Sequence, residues 1–164
     1  MYRRMNQTHN TSENSPAATR KQWLGVVVLS IACMLCSMDL SVLFLAMPAI
    51  TSELKPTPTQ LLWINDIYGF MVAGFLVTMG TLGDLRGRRK VLLIGAAAFG
   101  IASMLCAFSQ NSTQLVISRA LLGIAGATIA PSTLSLIVNM FAREDERNRA
   151  IGMWGTAFAV GGTV

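Results

Sequence analysis

Charge is what this sequence has least of. Only 13% of its 164 residues are Asp, Glu, Lys or Arg, about half the ~25% usual in a soluble domain. That shortage argues against a globular enzyme with a solvated surface. Histidine occurs once, at His9 in a polar leading stretch, which leaves no His-based metal or proton site in the apolar body. Cys33, Cys36 and Cys106 all lie in apolar runs. Cys33 and Cys36 are one helical turn apart, but a redox or zinc CxxC needs a strand–helix unit or further ligands, so these thiols are read as small packing hydrophobes and no metal site is expected. No nucleophile–base pair and no phosphate-cradling glycine loop occurs, which removes support for an enzyme. The net charge of +5 could mark a nucleic-acid binder. Its basic residues, however, gather in short polar gaps between long apolar runs instead of covering a face, and no nucleic-acid partner is expected.

Apolar runs are what the chain has in abundance, with 52% hydrophobic residues. A helix that crosses the hydrocarbon needs roughly 20 mostly apolar residues. Four runs of about that length are predicted as spans, near residues 23–47, 61–82, 91–108 and 115–141, and a fifth begins near 150 and continues to 164. Helices are the expected form, because lipid offers backbone groups no partner and the alternation of a barrel strand is missing. The fold class is therefore an all-α membrane protein, four full helices and one truncated one, behind a polar tail over residues 1–22 whose Asn, Thr and Ser content predicts disorder. The first run is too long for a signal-peptide core and lacks a convincing cleavage site, so it is read as a retained span. Because the chain ends inside an apolar segment, it is expected to be part of a longer protein and inactive alone.

The connectors predict orientation. Arg3, Arg4, Arg20 and Lys21 precede the first span, Arg86, Arg88, Arg89 and Lys90 separate the second from the third, and Arg143, Arg147 and Arg149 separate the fourth from the fifth. The alternate connectors hold only Lys55. The positive-inside rule then predicts a multi-pass protein of the cytoplasmic membrane with its amino terminus in the cytoplasm. Asn6, Asn10 and Asn111 each begin an Asn-x-Ser/Thr triplet, and the first two fall on the side predicted cytoplasmic.

Three ionisable residues lie where charge is costly: Asp39 in the first span, Asp66 early in the second and Arg119 in the fourth. Each costs at least about 2.5–3.5 kcal/mol to insert unless paired, hydrated or functional. At ~1.5 Å per residue, Asp39 falls about 12 Å, Arg119 about 6 Å and Asp66 about 7 Å from the outer ends of their spans. All three are expected to share one cavity between the first, second and fourth helices, with Asp39 as the proton carrier. A second reading stays open for Asp66 and Arg119, which are near enough to the interface to snorkel or to form a purely structural pair. Arg119, Gly123, Gly126 and Ala130 follow one face of the fourth span, where small residues let a neighbouring backbone approach, and Pro131 is expected to bend that helix.

The second connector reads Gly80-Thr81-Leu82-Gly83-Asp84-Leu85-Arg86-Gly87-Arg88-Arg89-Lys90, which resembles the major facilitator superfamily signature G-x-L-a-D-r-x-G-r-[kr] between the second and third helices. Leu85 departs from the usual basic residue. Met38-Asp39-Leu40-Ser41-Val42 through Ala46-Met47-Pro48 resembles the first-helix motif of the fourteen-helix drug:proton antiporters, and Leu115 to Gly126 resembles their fourth-helix motif associated with proton coupling. Gly152 and Gly161 look like the opening of the antiporter motif, and Trp63-Ile64-Asn65-Asp66-Ile67-Tyr68 is similar to the second helix of exporters of quaternary ammonium compounds. The resemblance implies the amino-terminal part of a major facilitator bundle that exports lipophilic, cationic drugs in exchange for protons. It implies Asp39 and Arg119 for proton coupling, Asp66 for substrate contact, Gly80, Asp84, Gly87, Arg88 and Arg89 for gating, and Gly123, Gly126, Gly152 and Gly161 for helix packing. The expected partners are a small-molecule drug or cation, protons and membrane lipid; no cofactor is expected, the proton gradient supplying the energy. A facilitator-type carrier of another solute, or a non-transporting membrane protein that binds an intact partner, are the alternatives.

Overall fold

A computed structural model describes residues 18–163. Arg3, Arg4, Asn6, His9, Asn10 and nearly all of the predicted tail lie outside the described residues. Within them are five helices and no strand: α1 (Arg20–Leu54), α2 (Pro58–Arg86), α3 (Arg88–Ala107), α4 (Ser112–Met140) and α5 (Glu144–Gly161). Of these, α1 to α4 are long and apolar enough to cross a membrane.

All five helices start ahead of the apolar segments that announce them, because polar residues and not hydropathy fix where they begin. The Thr19 N–H donates to Gln22 Oε1 at 2.7 Å, so α1 starts at Arg20, inside the stretch expected as tail. At α2, Thr57 and Gln60 cap each other reciprocally, the Gln60 N–H on Thr57 Oγ1 at 3.3 Å and the Thr57 N–H on Gln60 Oε1 at 3.0 Å. Pro58 takes the first helical position, where its missing N–H costs nothing. Asn111, which heads the third triplet, caps α4 by accepting from the Gln114 N–H at 2.8 Å. In α5 the acidic first turn of Glu144, Asp145 and Glu146 complements the helix dipole, which draws the polar residues before Ala150 into the helix. With 35 residues α1 is roughly 52 Å long, well beyond the ~30 Å hydrocarbon core.

Consecutive helices run in opposite directions, which gathers the starts of α1, α3 and α5 with the ends of α2 and α4. The result is a basic end carrying Arg20, Lys21, Arg86 to Lys90 and Arg143 to Arg149. There Val26, Ile137, Phe141 and Ala150 form a core with Trp23 and Trp154. Halfway along, Tyr68, Ala102 and Leu122 pack with Phe99. At the opposite end Leu43, Ile64 and Leu115 pack with Met47 and Ile50.

The hub is α4, which touches all four other helices and packs most extensively against α2 and α3. Its small residues explain how. A Cβ on Gly123 would stand 2.6 Å from the Tyr68 carbonyl oxygen and 2.8 Å from Met71 Cβ, so α2 lies directly against the α4 backbone. On the α3 side the relation is reversed, Gly95 receiving the Thr128 side chain. The outside of the bundle is correspondingly apolar, with Leu24, Val28, Phe44, Leu45, Val77 and Ile94 all exposed. Lipid is the solvent in which such a surface is stable.

Candidate functional site

Arg119 belongs to the buried face of α4. Its Nη1 stands 3.4 Å from Asp39 Oδ2 of α1, with side chains only 4% and 19% exposed respectively. The pair is single-point rather than a bidentate fork, and the Arg119 Nε and Nη2 atoms are buried without a partner. The guanidinium carbon lies 5.5 Å from the centroid of the Tyr68 ring, within cation–π range. Tyr68 also donates its hydroxyl to the Cys36 carbonyl at 3.3 Å, and Gly126 leaves space for that hydroxyl, since a Cβ there would sit 3.1 Å from it. A single α2 side chain therefore connects the α1 backbone to the α4 charge. The sequence reading met Tyr68 only as the end of the Trp63–Tyr68 motif and gave it no role, although a phenol within a span needs a hydrogen-bond partner and is a signal in itself.

Asp39 and Arg119 open on a cavity of about 330 Å³ running toward the end opposite the basic connectors, with Glu53, Ser103, Cys106 and Leu115 also in its wall. Its walls come from α1, α3 and α4. This corrects the expectation of a cavity among the first, second and fourth helices that also holds Asp66. Asp66 lies on the outer face of α2, exposed, and accepts from Asn65 Nδ2 at 2.9 Å. Depth along the helix was similar for the two carboxylates, but their directions around the bundle differ. On the same α2 face as Asp66, the exposed Trp63 and Phe70 stand 6.4 Å apart between ring centroids.

The α2–α3 turn is a second charged assembly, at the basic end. Asp84 pairs with Arg88 one helical turn on, and Arg88 Nη1 reaches across to the Pro131 carbonyl on α4 at 3.1 Å. Gly83 is buried beneath Arg88, and a Cβ at Gly80 would meet Pro131 at an ordinary 3.8 Å. Gly87 closes α2 and opens α3 with φ 93° and ψ 120°, a backbone conformation that side chains resist. Arg89 and Leu85 are exposed. Of the remaining glycines, Gly161 presses α5 against Met34 and Ser37 of α1, whereas a Cβ at Gly152 would meet nothing within 4 Å, so none of the other described helices packs on it. Trp154 of α5 donates Nε1–H to Thr133 Oγ1 of α4 at 3.1 Å, a tie absent from the sequence reading.

A bundle of membrane-length helices holding a buried charge pair beside a cavity has the build of a polytopic transporter. The chain belongs to the Major Facilitator Superfamily, whose sequence profile matches residues 29–164; this is a family of transporters, not of enzymes. It is 43% identical over 152 residues to the multidrug efflux pump LfrA of Mycolicibacterium smegmatis, an alignment that covers 91% of this chain and 30% of the pump. It is 39% identical over 134 residues to the methyl viologen resistance protein SmvA of Salmonella typhimurium, with 82% and 27% covered. Identity to the puromycin resistance protein of Streptomyces alboniger is 32% over 144 residues, with 88% and 29% covered. The chain thus spans less than a third of the length of these relatives.

Proposed function

We propose that the full-length protein exports lipophilic, cationic drugs across the cytoplasmic membrane in exchange for protons, with its amino terminus in the cytoplasm. The observation that carries this reading is the Asp39–Arg119 pair, buried between two helices yet open on one side to a cavity. Arginine keeps its charge under all conditions relevant to a protein, whereas a carboxylate can accept a proton. An ionised Asp39 therefore leaves the site balanced, and a protonated Asp39 leaves it a net cation. A cationic drug and a proton then favour opposite states of one site, which is the requirement for exchange. The pair's single long contact and the two unpartnered guanidinium nitrogens support a site that can rearrange at small cost.

The names of relatives that act on drugs support a drug substrate, and α2 supports a cationic one. Trp63, Asp66 and Phe70 fall on one face at intervals of three and four residues, a carboxylate beside two neighbouring aromatic rings. Such a face attracts a lipophilic cation by charge and by cation–π contact, and Asp66 is proposed to touch substrate there. The Asp84–Arg88 clamp on the α4 carbonyl at Pro131 is proposed to latch the basic end, with Arg89 at the headgroups, Gly80 against Pro131 and Gly87 permitting the turn. Orientation rests on the collection of basic residues at one end of the bundle.

The test is Asp39→Asn in the full-length protein, assayed as efflux of a lipophilic cationic dye with and without a proton uncoupler. Loss of uncoupler-sensitive efflux at unchanged membrane abundance is expected. Efflux that stays intact and still depends on the proton gradient would remove Asp39 from the mechanism.

A further inference from the structure

On the outer side of the bundle, away from Asp39, a groove of about 570 Å³ runs along α3 with α4 as its floor and the last turns of α2 as one wall. Its lining is apolar over nearly all its length, through Met79, Ile94, Ala98, Ile101, Leu105 and Leu121. The groove exists because Gly95, Ala98, Ala102 and Ala125 are small, so α3 and α4 come together without side chains to fill the space above their contact. Its two charged lining residues are at one end: Arg86 closes α2 and Lys90 stands in the first turn of α3.

We propose that this groove holds one acyl chain of an anionic phospholipid from the leaflet at the basic end, with Arg86 and Lys90 on its phosphate. Three observations carry the assignment. Both cations are exposed and, among the described residues, neither takes part in an ion pair, while their neighbour Arg88 is tied to Asp84 and to the Pro131 carbonyl. Lys90 and Leu105, at the two ends of the α3 wall, are 15 residues apart, roughly 22 Å at helical rise, which accommodates a chain crossing the ~15 Å of one leaflet. The charge pattern also selects the occupant. A further helix of the protein would need acidic partners at the groove's mouth and apolar side chains below, whereas a lipid brings a phosphate at headgroup depth and hydrocarbon beneath it in one molecule.

Native mass spectrometry of the full-length protein tests this, after incubation with phosphatidylglycerol or phosphatidylcholine in mixed micelles. The wild type is expected to retain one phosphatidylglycerol through a delipidation series that strips phosphatidylcholine. R86Q/K90Q should lower that retention by about thirtyfold, the loss of two interfacial cations. Ala98→Phe, which fills the groove and leaves the cations, should abolish the tight phosphatidylglycerol adduct. Excess inorganic phosphate should leave the adduct in place; displacement by it would show a simple anion site and overturn the assignment. Equal retention by wild type and R86Q/K90Q would overturn it as well, as would a photocrosslinker at Ile101 that captures another segment of the same protein instead of lipid.

Discussion

Removing one member of the Asp39–Arg119 pair should not be equivalent to removing the other. Asp39→Asn leaves a guanidinium 4% exposed, two of whose nitrogens already lack partners, and an arginine cannot discharge itself by losing a proton. Its remaining support is the Tyr68 ring at 5.5 Å. Breaking a fully buried pair costs about 3–5 kcal/mol, and the cavity beside Asp39 admits some screening, so about 3 kcal/mol is expected here. Arg119→Gln leaves a carboxyl that faces the cavity and can take up a proton, which limits the loss to about 1 kcal/mol. The double variant should lose well under the sum of the two, because it strands no charge. Unfolding of the full-length protein in lipid-containing micelles, followed by tryptophan fluorescence in all four members of the cycle, measures these differences. Single variants that lose the same stability within ~0.5 kcal/mol would refute the reasoning, as would a double variant equal to their sum.

Three further outcomes follow from contacts within the bundle. Gly123→Val should cost about 1–3 kcal/mol by forcing α2 away from α4, whereas Gly69→Ala, with nothing within 4 Å of the added carbon, should stabilise by about 0.5–1 kcal/mol; parallel thermal unfolding of the two proteins checks the contrast. Gly87→Ala places a side chain at φ 93° and ψ 120° and should lose about 1–3 kcal/mol, read as a lower midpoint in the same unfolding assay. Trp154→Phe keeps an aromatic ring, though a smaller one, and removes the donor to Thr133 Oγ1, so a loss of about 0.5–1.5 kcal/mol is expected from the bond, with Thr133→Val nearly additive only if that bond is not made.

Hydropathy and charge placement made the membrane helices legible, because a span must be long and apolar whatever it packs against. The approach of Arg119 to Asp39 was legible for a related reason: two opposite charges at comparable depth have few other ways to be accommodated. Asp66 shows where this logic stops. Depth is one coordinate, and a helix apolar on every side carries no polar stripe to reveal which way a given residue faces. The exposed and buried carboxylates therefore look alike in sequence. Helix ends were hidden for the opposite reason, since Thr19, Thr57 and Asn111 extend them by hydrogen bonds that hydropathy ignores. The identity of α4 as hub was only half visible: Gly123 and Gly126 announced a close approach, but not that Tyr68 of α2 would fill it.

Between α2 and α3 there is no loop at all, only Gly87. A joint of one residue has no slack in which to dissipate movement, so the two helices act as the arms of a bell crank pivoting at the membrane surface. Force applied to the last turn of α2 is delivered to α3, and Thr128 lodged against Gly95 hands it on to α4 a little way inside. A mechanical disturbance at the headgroups thereby has a stiff route toward the interior, one that a longer and softer hinge would have cut.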